Sequence, residues 1–141
     1  MDPRPETPPP PPPATQWTRA QVAYAVALFV TAWTLVGVAL TRGPALPQTS
    51  AELASAAFFF LYGLFTISIG YQHPNLGYYS FDRVAQVASI LVLGPVPAAL
   101  INGLASFVYP WHRLFKGVPR QRVALAALNN SGLMASIVLV R

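Results

Sequence analysis

The acidic residues and histidines of this chain are too few and too scattered to build a catalytic centre. The four carboxylates are Asp2, Glu6, Glu52 and Asp82, and the two histidines are His73 and His112. Two carboxylates lie near the N-terminus, and the other two lie where apolar segments begin, where a helix dipole favours negative charge. No cysteine is present, which excludes disulfides and thiolate sites. We therefore expect no enzymatic activity, no metal site and no cofactor.

Side-chain amides within apolar segments are the polar groups that require an explanation. They are Gln86, Asn102, Asn129 and Asn130. An amide in hydrocarbon is costly unless it is hydrogen-bonded, so bonds between helices are one explanation. The other is a small-ligand pocket, in which the asparagines join backbone carbonyls freed by an irregular segment. The residues of that predicted pocket are Gly94, Pro95, Pro97, Asn102, Asn129 and Asn130.

The segments that carry these residues have very little charge. The chain of 141 residues is 54% hydrophobic and 9% charged, whereas soluble domains carry about a quarter charged residues. Residues 20–41, 53–81 and 84–112 contain no Asp, Glu, Lys or Arg. A bilayer core about 30 Å thick needs ~20 apolar residues per helix. The sequence therefore predicts an all-α fold, a polytopic transmembrane helical bundle with three full spans and one broken helix pair.

The order of segments divides the chain into a leader and a membrane domain. Residues 1–19 contain six consecutive prolines and are expected to be a disordered, solvated polyproline leader. Residues 20–141 form the predicted transmembrane domain. Trp17 fits an interfacial anchor, and Ser50 is the expected N-cap of the second span. The predicted spans are residues 20–41, 51–70, 84–93 with 96–109, and 123–141.

A Gly-Pro-Val-Pro sequence at residues 94–97 interrupts the third apolar run. The two prolines remove two backbone donors, and Gly94 suits a helix C-terminus. An unbroken helix over residues 84–109 would be ~39 Å long, which exceeds the hydrocarbon core. We therefore expect two half-helices, with the break facing the protein interior because irregular backbone at membrane depth must be shielded from lipid.

A basic segment between the third and fourth runs bears on topology. Its cations are Arg113, Lys116, Arg120 and Arg122, and it contains no acid. The positive-inside rule assigns it to the cytoplasm. Two arrangements satisfy that rule, one with the N-terminus outside and one in which residues 84–109 enter and return as a hairpin. We favour the hairpin, which also keeps Arg4, Arg19 and Arg83 inside. Nucleic-acid binding is not expected despite the net charge of +5, because no basic face is interleaved with exposed aromatics.

Part of this sequence resembles the N-terminal membrane regions of bacterial signalling proteins. The part consists of residues 89–111 (SILVLGPVPAALINGLASFVYPW), the basic loop and residues 123–135 (VALAALNNSGLMA). Those regions precede HD-GYP phosphodiesterase, GGDEF cyclase or histidine kinase domains. The shared features are the Gly-Pro, a second half rich in small residues, and an asparagine at position 129 or 130. A similar Gly-Pro pattern occurs in substrate-binding subunits of energy-coupling-factor transporters. None of the catalytic signatures of the signalling proteins is present.

The resemblance implies a membrane-embedded sensory or anchoring module in the bacterial cytoplasmic membrane. A small-molecule-binding subunit of a transporter is the first alternative, and a structural subunit of a membrane complex is the second. The expected partners are the lipid bilayer and either a second copy of the chain or a downstream signalling domain. The apolar helix that reaches Arg141 suggests that this sequence is part of a longer protein.

Overall fold

The computed structural model describes residues 17–42, 47–73, 77–79 and 81–140, with the backbone alone for residues 71–73 and 77–79. These residues form α1 (Arg19–Thr41), α2 (Ser50–Ser68), β1 (Tyr71–His73), β2 (Gly77–Tyr79), α3 (Asp82–Leu93), α4 (Pro95–Val108), a 3-10 helix (Tyr109–Lys116) and α5 (Arg120–Val140). Most of the predicted leader, Pro74, Ser80 and Arg141 lie outside the described residues.

Among the described residues, α1, α2 and α5 are long and apolar enough to cross a membrane. This confirms the predicted transmembrane helical character. Their lengths of 23, 19 and 21 residues correspond to roughly 29–35 Å of helix. Large apolar side chains such as Leu61 and Phe65 are exposed. Exposed apolar side chains suit helices that face lipid rather than water.

Capping boxes begin the first two spans. Thr18 caps α1, where its hydroxyl accepts from the amide of Gln21 at 3.2 Å. Thr49 caps α2, and Glu52 Oε2 accepts from the Gln48 and Thr49 amides at 2.7 and 3.1 Å. The expected N-cap, Ser50, was therefore wrong by one residue. The reciprocal bonds of a capping box need a Ser or Thr and a Glu or Gln three residues apart, and Thr49 has that spacing to Glu52.

The polar stretch between α2 and α3 is a short antiparallel β-hairpin, which the all-α prediction did not include. Tyr71 pairs with Tyr79, and His73 pairs with Gly77. The N-cap of α3 is Phe81, which makes no side-chain capping bond. Asp82 already belongs to the helix, where its carboxylate accepts from Gln86 Nε2 at 3.1 Å.

A single glycine separates α3 from α4. Gly94 has a φ of +85°, a conformation that side chains with a Cβ rarely adopt. Its amide donates to the Ile90 carbonyl at 2.9 Å, and its carbonyl accepts from the Ala98 amide at 3.1 Å. The two prolines occupy the first turn of α4, where amide hydrogens have no partner within the helix. The helix is therefore interrupted here with little loss of backbone hydrogen bonding.

Small residues bring α1, α4 and α5 close together. A Cβ on Gly132 of α5 would lie 2.9 Å from the Phe29 backbone of α1, and a Cβ on Gly103 of α4 would lie 3.3 Å from Ala135 Cβ. The small residues that lie four apart on α4 and α5 are all buried: Ala99, Gly103, Ala127, Ser131 and Ala135. A second apolar cluster joins α2 to α3 and α4, with Phe59 and Ile101 at its centre.

Candidate functional site

A groove of about 560 Å³ opens beside the turn between α3 and α4. Three of the predicted pocket residues, Gly94, Pro95 and Pro97, line it. The remaining walls come from the ends of α1, α3 and α5 and the start of α4: Leu35, Val38, Ala39, Arg42, Leu93, Val96 and Leu139. Arg42 is the charged residue of this lining. The groove therefore combines an apolar body with a cation at one end.

The groove lies near one end of the bundle. Arg42 directly follows α1, and Leu139 lies in the last turn of α5. The turn at Gly94 is therefore level with the ends of these helices. Pro95 is exposed, and Gly94 is half-buried. The break is therefore only partly covered by protein, and the bonds made by Gly94 leave little irregular backbone to shield.

Asn102 lies away from the groove, in a hydrogen-bonded contact between α3 and α4. Its Nδ2 donates to Ser89 Oγ at 2.9 Å and to the Ala98 carbonyl at 2.8 Å. The Ser89 hydroxyl in turn donates to the Gln86 carbonyl at 2.8 Å. These side chains are buried. The amide therefore holds the two helices on either side of the turn against each other.

Gln86 extends this polar contact towards α5. Its Nε2 lies 3.1 Å from Asp82 Oδ2 and 3.0 Å from the Met134 sulfur. Within the described part of the chain, no buried side-chain nitrogen or oxygen lacks a hydrogen-bond partner. The buried amides thus fit the interhelical explanation, and no unpaired buried polar group points towards a ligand.

Asn129 and Asn130 lie on α5, where Asn129 is half-buried and Asn130 is exposed. Neither lines the groove at Gly94. The six predicted pocket residues therefore fall into three places: the groove, the contact between α3 and α4, and the outer surface of α5.

The four basic residues lie at the opposite end of the bundle from the groove. Arg113 and Lys116 belong to the 3-10 helix, and Arg120 and Arg122 begin α5. Arg122 is half-buried and the other three are exposed. The side chain of Phe115 beside them is 95% exposed. A cationic segment with exposed aromatic side chains suits the headgroup layer of a bilayer.

One hydrogen bond between helices was not predicted from the sequence. Trp33 Nε1 donates to Ser131 Oγ at 3.0 Å, which joins α1 to α5. Trp33 is residue 15 of the 23 in α1. Tryptophan in membrane proteins favours the interfaces, and a buried indole N–H needs an acceptor. The position of Trp33 well inside a predicted span was therefore the sequence feature from which a bonded contact between helices could have been predicted.

The described residues contain no cluster of three His, Asp or Glu side chains that could hold a metal ion. Searches among protein-family models, curated proteins and solved structures found no match to this chain. The likeness to bacterial signalling proteins therefore remains a prediction.

Proposed function

We propose that this chain is a membrane-embedded sensory and anchoring module of a bacterial signalling protein, without catalytic residues of its own. The observation that carries the proposal is the groove at Gly94, whose walls are the ends of separate helices. A ligand there contacts α1, α4 and α5 together. A change in the packing of these helices is then transmitted along the whole bundle.

The proposed arrangement in the bilayer has α1, α2 and α5 as full crossings and α3 with α4 as a hairpin. Ser89 of α3 bonds to Asn102 of α4 across the Gly94 turn, which supports two helices running in opposite directions. The basic residues 113–122 then lie on the cytoplasmic side. The groove and Arg42 lie at the outer surface.

The chemistry of the groove favours an amphiphile as the signal. An apolar lining accepts an acyl or aromatic body, and Arg42 pairs with an anionic or polar head. A change of bilayer thickness acts at the same place, because lipid chains reach an open groove at the membrane boundary. In either case, the relative positions of α1 and α3 change.

A distance measurement across the groove tests the sensory function. Nitroxide labels on Val38→Cys in α1 and Val92→Cys in α3 report the spacing of its walls; both side chains are exposed, and the chain has no native cysteine. In bilayers, addition of a medium-chain fatty acid, or a change from thin to thick lipids, is expected to shift the dipolar coupling between the labels.

The matched control places both labels on one helix, at Val26 and Val30 of α1, which are also exposed. Their coupling is expected to stay constant because a rigid helix fixes their separation. A Val38–Val92 coupling that is unchanged under both treatments would count against sensing and favour a purely structural subunit.

A further inference from the structure

Asn130 is an exposed amide at the centre of a membrane-spanning helix. It is residue 11 of the 21 in α5, so about 15 Å of helix lies on either side of it. If α5 crosses the bilayer, this side chain lies near the midplane of a core about 30 Å thick. Among the described residues, its side chain has no hydrogen-bond partner.

Four other polar side chains within the helices have hydrogen-bond partners. Asn102 and Ser131 are buried and bonded to neighbouring helices. Thr66 and Ser136 donate to carbonyls of their own helices. An amide that faces lipid has neither kind of hydrogen bond, and the free energy of placing it in hydrocarbon is high. An exposed amide at this depth therefore indicates a surface that another polar group covers.

The residues around Asn130 form a stripe along the outer face of α5. They follow each other at intervals of four, three, four and three: Ala126, Asn130, Leu133, Ile137 and Val140. All are exposed or half-buried, with Leu133 at 40% and Val140 at 83% exposure. This spacing is that of the seam of a coiled coil, with Asn130 at an a position. The opposite face of α5 is already occupied by α1 and α4.

We propose that α5 pairs with α5 of a second copy of this chain through this stripe, with the two Asn130 amides bonded to each other. An amide both donates and accepts, so it is complementary to its own copy across a two-fold axis. Copies inserted in one membrane share an orientation, which makes the pair parallel and brings the two central amides to the same depth. The small side chain of Ala126 allows close approach. The pairing does not depend on whether the groove at Gly94 binds a ligand.

Energy transfer between labelled copies of the full chain in lipid bilayers tests this pairing. The label is attached to Gln121→Cys, at the exposed start of α5. We expect transfer that dilution with lipid abolishes, and we expect Asn130→Leu to raise the apparent dissociation constant roughly tenfold, the equivalent of one interhelical hydrogen bond. Asn130→Gln, which keeps a donor and an acceptor, is expected to retain association. Asn129→Leu, which removes the neighbouring amide outside the stripe, is expected to retain it too.

Cysteine cross-linking gives a second readout in the same chain. Leu133→Cys is expected to form a disulfide-linked dimer on oxidation. Val30→Cys, at the centre of α1 and also exposed, is expected to form none. Any one of four results would overturn the proposal. In the energy-transfer experiment these are transfer at the random-collision level, an unchanged dissociation constant for Asn130→Leu, or a loss of association in Asn129→Leu. In the cross-linking experiment it is equal cross-linking at positions 30 and 133. Because the side chain of Asn130 makes no bond to the described residues of its own copy, its variants are expected to fold, and circular dichroism checks that they do.

Discussion

At the scale of single residues, hydrogen bonds between helices determine where polar side chains are tolerated. Asn102 bonds to Ser89 across the turn, and Trp33 bonds to Ser131 between α1 and α5. The sequence identified Asn102 as a residue that needs a partner. It did not identify Ser89, because the two residues meet only when the chain reverses at Gly94 and aligns α3 with α4.

Replacing Asn102 with leucine removes its bond to Ser89. We expect Asn102→Leu to lower the free energy of unfolding by about 1–2 kcal/mol, the usual contribution of a bond between membrane helices. Reversible unfolding in mixed detergent micelles measures the change. In a double-mutant cycle with Ser89→Ala, the two effects are expected to be less than additive because both substitutions remove one bond.

The control for this prediction is Ser136→Ala. The Ser136 hydroxyl donates to the Gly132 carbonyl of its own helix at 2.8 Å. Its loss is expected to change stability by less than half as much as the loss of Asn102. Equal effects of the two substitutions would show that the contact between α3 and α4 has no special importance.

At the scale of helices, glycine positions decide how closely the elements approach. Small residues that lie four apart on α4 and α5 pack closely, and a Cβ on Gly103 would lie 3.3 Å from Ala135 Cβ. The approach of α1 to α5 at Gly132 was not predicted, because the facing atoms belong to the backbone of Phe29, and no sequence pattern marks a backbone contact. The predicted capping residue of α2 was wrong by one position for a different reason, because Ser50 and Thr49 are chemically alike.

Two Gly→Ala substitutions separate packing from helix propensity. A Cβ at Gly132 would lie 2.9 Å from backbone atoms of Phe29, so we expect Gly132→Ala to destabilise the bundle by about 1–3 kcal/mol. Gly37 in α1 is exposed and has no atom within 4 Å of its Cβ position. Gly37→Ala is therefore expected to be neutral or to stabilise by up to about 1 kcal/mol.

Thermal unfolding of both glycine variants in one detergent measures the difference. The prediction requires a lower midpoint for Gly132→Ala than for Gly37→Ala. If the two variants have the same unfolding midpoint, the close contact between α1 and α5 does not limit stability.

At the scale of the whole molecule, the low charge content and the uncharged intervals at residues 20–41 and 53–81 predicted α1 and α2, and the apolar run from residue 123 predicted α5. The β-hairpin at residues 71–79 was not predicted, because three-residue strands give no periodic signal. The level of the turn at Gly94 along the bundle was not predicted either. A sequence shows where a helix breaks, but the level of the break depends on which helices pack beside it, and here these are the ends of α1 and α5.

The return of the chain at Gly94 is the central claim, and sidedness tests it directly. In an intact-cell labelling experiment with an impermeant thiol reagent, single cysteines replace Gln48, between α1 and α2, and Gln121, at the start of α5. Both positions are exposed and uncharged, and both avoid Gly117, whose φ of +77° disfavours a side chain. A hairpin formed by α3 and α4 predicts opposite sides, with position 48 labelled from outside and position 121 labelled only after the membrane is opened. A single crossing by residues 84–109 requires both positions on the same side, and that result would contradict the hairpin.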